Sequence, residues 1–199
     1  MEKKYSGTQQ IVGTAVLVAL IIVLQTIGSG IHFGPFTPTL SLVPIIIGAV
    51  LFGPVTGLGL GFVFSAIVLF SVISGADPGG AMMLTENPVA TVLIVVIKGS
   101  LAGYAAGVVS SGLAKKNLAI GVVLAAVVAP LTNTGLFCVG VLLFFKDLIT
   151  GWGVGAGYDS VYAYILGGLI GINFLVELVI DLILVPVIVR VIIAVRKSK

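Results

Sequence analysis

With 199 residues, 59% of them hydrophobic and only 9% charged, the chain cannot cover a water-soluble surface, which needs about a quarter of its residues charged. Its net charge of +3 comes from lysines and arginines grouped at the ends of apolar runs, which excludes a continuous basic face for nucleic acid. A single cysteine, Cys138, excludes an internal disulfide, and a single histidine, His32, excludes multi-histidine metal centres.

Lipid must therefore solvate most of the chain, and the apolar runs divide it into six expected spans. The first covers residues 10–28; Lys3 and Lys4 before it resemble the start of a signal peptide, but no A-x-A site follows and further spans do. A joint at 28–38, rich in Gly, Pro and Thr and holding His32, leads to a short second span at 39–52. That length covers only about 20 Å of a hydrocarbon core of about 30 Å, so the span must tilt against neighbours or end in a protein-lined hollow. Gly53-Pro54 breaks it, and the third span follows at 56–73. A similar Gly-Pro turn at Gly34-Pro35 gives a weak internal echo, read as turn chemistry used twice.

The joint at 74–87 is polar, with Asp77 and Glu86, and the fourth span runs over 88–113 to Lys115-Lys116. The fifth covers 118–145, with Pro130 and Asn133 inside it; a glycine-rich joint at 146–160 contains Trp152, Tyr158 and Asp159. The sixth starts near Val161 and ends in the basic tail Arg190, Arg196, Lys197 and Lys199. No joint is long enough to link two folded units, so a single domain over 1–199 is expected. With a cytoplasmic N-terminus, eight of the ten Lys and Arg residues lie at inner ends, so both termini are placed in the cytoplasm and the three longer joints outside.

Ionisable groups inside spans are the strongest chemical signal, because a charge in lipid is costly and usually serves a site or a pathway. Lys98 lies ten residues into the fourth span, about 15 Å deep by helix rise. Asn173, Glu177 and Asp181 recur every four residues on the sixth and share one face. Asn133 completes a possible ring. Two readings stand side by side: Lys98 pairs with Glu177 as buried glue, or Lys98 is the counter-ion for an anionic solute in an outward-facing hollow. Asp181, deeper, is read as structural. Thr37, Thr39, Asn87, Thr91, Trp152, Tyr158 and Tyr162 could close such a hollow, although an interfacial belt also accounts for the aromatics.

Small residues recur at spacing four: Ala15 and Ala19; Gly57 and Gly61; Gly99, Gly103 and Gly107; Gly167 and Gly171. Each set lets helices approach closely in lipid, and internal packing is the plain reading for most of them. Ala15 and Ala19 differ, because the first helix of a small bundle is peripheral and a small face there could dock a second membrane protein. No lysine follows a glycine, so the chain holds no phosphate-cradling P-loop, and neither a metalloprotease helix nor a serine nucleophile elbow is present. No catalytic residue or metal ligand is assigned, and an enzyme is not expected.

Six spans with both ends inside, the Ala15-Val16-Leu17-Val18-Ala19 face, Pro54-Val55-Thr56-Gly57, Asn87-Pro88 followed by Lys98-Gly99, and Ala129-Pro130-Leu131-Thr132-Asn133-Thr134-Gly135 resemble the substrate-binding S component of energy-coupling factor (ECF) vitamin transporters. The resemblance covers the whole chain. It implies a six-helix membrane domain in a bacterial plasma membrane that captures one vitamin at the outer face. Its implied partners are a transmembrane coupling protein and two cytoplasmic ATPases, which use the ATP; no cofactor is expected in this chain. By the same resemblance Ala15 and Ala19 contact the coupling protein, while Asn87, Thr91, Lys98, Asn133, Tyr162 and Asn173 are candidates to line the vitamin site. Lys98 would suit a carboxylate and repel cationic thiamine, few aromatics are placed to stack a flat ring, and residues 87–103 and 129–145 look most like the pantothenate branch. The competing class is a stand-alone secondary transporter or channel with Lys98, Glu177 and Asp181 as its ion path.

Overall fold

The computed structural model describes residues 6–28, 40–114 and 117–197, with all of their side chains except those of 114, 169–170, 172–173 and 191–197. His32, Thr37, Thr39, Lys115 and Lys116 thus lie outside the described residues, as does the side chain of Asn173.

Among the described residues every regular element is helical: α1 (Gly7–Gly28), α2 (Leu42–Phe52), α3 (Pro54–Ile73), α4 (Pro78–Glu86), α5 (Pro88–Ala114), α6 (Leu118–Phe144), α7 (Lys146–Gly155), α8 (Val161–Tyr164) and α9 (Gly171–Lys197). Four of these, α1, α3, α5 and α6, are long and apolar enough to cross a membrane, and α2 is a shorter apolar helix. Their outer faces expose large apolar residues in long runs, such as Ile11, Val12, Val16, Leu20, Val23 and Ile27 on α1. In water such a surface would aggregate; against lipid tails it costs nothing.

The short α2 neither projects into lipid nor stops at its edge. Residues 42–49 are all buried, and the helix packs against α1, α3, α5, α6 and α9. A helix apolar all round belongs inside a bundle, and Leu-Val-Pro-Ile-Ile-Ile offers no polar face to turn outward. Its length is set by the turn after it: Gly53 takes φ +96°, a conformation glycine adopts at no steric cost, and Pro54 opens α3 where its missing N–H loses nothing.

The spaced glycines make the α3–α5 seam. A Cβ on Gly57 would strike the Gly103 carbonyl, one on Gly61 the Gly99 carbonyl, and one on Gly107 the backbone of Pro54. Backbones this close bring polar groups into reach, and the Ser65 hydroxyl lies 2.8 Å from the Val95 carbonyl oxygen and 2.9 Å from that of Gly61. Gly103→Val therefore meets backbone that cannot yield. It should lower the unfolding free energy by about 3 kcal/mol, measured by reversible unfolding in mixed micelles, whereas the same change at Gly112, which faces open space, should cost under about 1 kcal/mol.

Two joints read as irregular contain helices. Asp77 caps α4, its carboxylate accepting from the Gly80 N–H at 3.0 Å, and Pro78 occupies the first turn. Residues 146–155 form α7, whose buried side is Ile149 and Gly153. The last helical stretch is not uniform: α8 passes into a π-helical turn over Ile165–Ile170 before α9 begins. Tyr158 and Tyr164 meet edge to face at 5.4 Å beside this turn, packed on Gly167 and Gly168. Gly167 and Gly171 are thus separated by a widened turn rather than aligned on one α-helical face.

Candidate functional site

The buried apolar residues fall into two clusters. One joins α1, α2, α3 and the lower turns of α5, α6 and α9, with Ala102, Ala106, Val122, Ala126, Ala129, Val185 and Val189 among them. The other lies where α4, α7 and α8 meet the bundle, with Met83, Ala90, Ile94, Val141, Phe145, Ile149 and Tyr164. Reading each helix at four-residue steps shows what separates them. On α5 the series is Ala90, Ile94, Lys98, Ala102, Ala106; on α6 it is Ala129, Asn133, Phe137, Val141; on α9 it is Glu177, Asp181, Val185, Val189. Lys98 and Asn133 thus form a polar layer between the two hydrocarbon clusters, and Glu177 and Asp181 continue the α9 series beyond Val185. Asn133, Glu177 and Asp181 are 3%, 7% and 1% exposed.

Helical side chains lean toward the helix N-terminus, so Lys98 reaches up from α5 toward the end carrying α4 and α7. Its Nζ lies 4.8 Å from the centroid of the Phe137 ring, a cation–π contact. The Asp77 and Glu177 carboxylates act on this ammonium electrostatically, and the Cys138 thiol lies in the same neighbourhood. Glu177 thus interacts electrostatically with Lys98, and the Phe137 ring is in contact with the ammonium.

The other sequence candidates divide. Thr91 is fully buried, but its hydroxyl donates to the Asn87 carbonyl oxygen at 2.9 Å, and the Asn87 side chain accepts from the Ala90 N–H at 3.1 Å. Both residues build the start of α5. Tyr162 is 59% exposed on the outside of α8, and the tyrosine that packs inward is Tyr164, two residues on and about 200° around the helix. Ala15 and Ala19 lie exposed on α1, opposite the buried stripe of Leu17, Ile21 and Gln25 that faces α2 and α3. Phe137, Cys138 and Asp77 were not singled out as neighbours of Lys98. Phe137 was within reach of the reading, since it stands one turn above Asn133.

Among the described residues no group of three or more His, Cys, Asp or Glu side chains could hold a metal ion. The family profile for the ECF transporter substrate-specific component matches residues 9–189, nearly the whole chain. The chain belongs to that family. No curated protein and no solved structure shows significant similarity to it. Membership makes the chain an S component, a multi-pass membrane subunit of a transporter rather than an enzyme, of a kind that works with an ECF module. In this S component Lys98, Asn133, Glu177 and Asp181 lie within the apolar bundle, as does the Gln25 amide on α1, whose oxygen accepts from the Ser41 hydroxyl at 3.0 Å.

Proposed function

We propose that this S component captures pantothenate at the outer face of a bacterial plasma membrane and delivers it for ATP-driven uptake. The carrying observation is the Lys98 ammonium, held on the Phe137 ring between two apolar clusters within the bundle. A cation kept in an apolar bundle favours a solute that brings a carboxylate, and it disfavours one that brings a positive charge. The arrangement of helices supports six crossings by one domain: α1, α2, α3, α5, α6 and the stretch from α8 to α9. The lysines and arginines support cytoplasmic termini, which puts α4, α7 and the start of α5 outside. ATP is used by partner ATPases bound through a coupling protein, and the chain itself needs no cofactor.

Isothermal titration of the purified chain tests the reading. Pantothenate should bind with a single site, and riboflavin and thiamine should not. Tight riboflavin binding with none for pantothenate would overturn the assignment. The continuation of the polar layer inward to Asp181 favours one other reading, an ion path in a stand-alone porter. Co-purification separates the two, since only the S component brings ATPases with it.

A further inference from the structure

The last helical stretch carries two apolar faces, one residue apart. Val161, Tyr164 and Ile165 are buried, while Tyr162 and Leu166 are 59% and 68% exposed. Moving the buried pattern one residue along the chain gives Tyr162, Ile165 and Leu166, an apolar and aromatic face of the same spacing. The π-helical turn over Ile165–Ile170 holds one residue more than an α-helical path between the same flanks. If that turn closes to α geometry, α8 rotates by about 100° against α9 and shifts along its axis by about 1.5 Å. The inward positions of Val161, Tyr164 and Ile165 then pass to Tyr162, Ile165 and Leu166.

Tyr164 rests on glycines: a Cβ on Gly153 would lie 3.0 Å from its Cβ, and one on Gly168 would lie 2.7 Å from its ring. Neither glycine has a side chain to interlock with the ring. The joint before α8 can take up the movement, since Gly155, Ala156 and Gly157 are exposed and Gly157 already has φ +83°. Val161, Tyr164 and Ile165 pack in one cluster with Met83, Ile94, Cys138 and Ile149; Ile94 stands one turn from Lys98 on α5, and Cys138 follows Phe137. We propose that the π turn is a ratchet. Through it α8 exchanges between the described register, with Tyr164 inward, and a second register with Tyr162 inward, and so closes and loosens the apolar cluster on the α4 and α7 side of Lys98. Helix register shifts take microseconds to milliseconds, fast enough to gate binding. That the shift serves solute entry rests on the reading of the chain as a solute-capturing subunit; the shift itself does not.

The test uses the chain in detergent, with Cys138→Ala so that an introduced cysteine is the only thiol. Deleting Leu166, an exposed residue inside the turn, removes the extra residue and leaves both flanks in their present phase, which locks Tyr164 inward. Val161→Cys places a thiol that is buried in that register and uncovered in the other. With no solute added, a small water-soluble methanethiosulfonate reagent should modify it at least about tenfold more slowly in the deletion chain than in the undeleted one. Tyr162→Cys, exposed in the described register, should react quickly in both and shows that the reagent reaches the helix. Saturating pantothenate should slow modification at position 161 in the undeleted chain toward the deletion rate. If the deletion chain does not fold, Leu166→Gln decides by the same labelling, because the second register would then have to bury an amide. Equal solute-free rates at position 161 in the locked and undeleted chains would overturn the ratchet. If pantothenate has no effect because wild type does not bind it, the vitamin assignment fails separately, and the solute-free comparison still decides the ratchet.

Discussion

Ala15→Trp combined with Ala19→Trp will abolish co-purification of the ATPases with the chain while leaving solute affinity within about twofold of wild type. Both alanines are exposed on α1, which packs on α2 and α3 through the opposite stripe of Leu17, Ile21 and Gln25. Nothing inside the described bundle needs their small size. Tryptophan is readily accommodated by lipid, so the free subunit should fold and melt as before. A partner helix, by contrast, approaches closely only where side chains are small, and two indoles one turn apart hold it off by several ångströms. Association that survives the double change would remove α1 as the docking face. Loss of solute binding together with association would show that the substitutions disturb the fold.

Lys98→Met is expected to weaken pantothenate binding about ten- to a hundredfold, the size of one lost charge-assisted hydrogen bond. Methionine keeps most of the apolar stem that fills the layer between Ile94 and Ala102, so packing changes little and the missing charge is what the measurement reads. The same variant should bind the carboxamide analogue of pantothenate as well as wild type does, because that analogue brings no charge to be met. Equal losses for acid and amide would mean that Lys98 supports the helix packing and not the carboxylate. The Phe137 contact gives a smaller companion effect: Phe137→Leu should cost about three- to tenfold for the acid only, as expected for a cation–π contact of roughly 1 kcal/mol.

The helices with the longest apolar runs were legible because lipid imposes a simple rule: backbone polar groups must be satisfied within the segment, so the segments are helices. Boundaries fell within a few residues, and spacing marked the small-residue faces, although which helices they join was not in it. The short elements were not legible. In α4 and α7 the polar residues looked like loop chemistry, and Asp77 is in fact a helix cap, a use of the same side chain that composition does not distinguish. Three of the site candidates show the same ambiguity. Asn87 and Thr91 are polar residues at a helix start, and the backbone there uses them. Tyr162 and Tyr164 differ only in helical phase, and the π-helical turn that follows them makes phase hard to extrapolate from the later residues. Lys98, Asn133, Glu177 and Asp181 were visible because polar groups in apolar runs stand out. That Phe137 sits over Lys98 depends on how α5 and α6 pack, which no single helix encodes.

The most direct test of the central claim is the melting temperature of the detergent-purified chain measured against a panel of water-soluble vitamins. A ligand that binds only the folded state raises that temperature by mass action, by an amount that grows with its concentration above Kd. The account predicts one strong response, to pantothenate, that disappears in Lys98→Met. A panel in which no vitamin shifts the transition, or in which the responding vitamin acts equally on wild type and Lys98→Met, would contradict it.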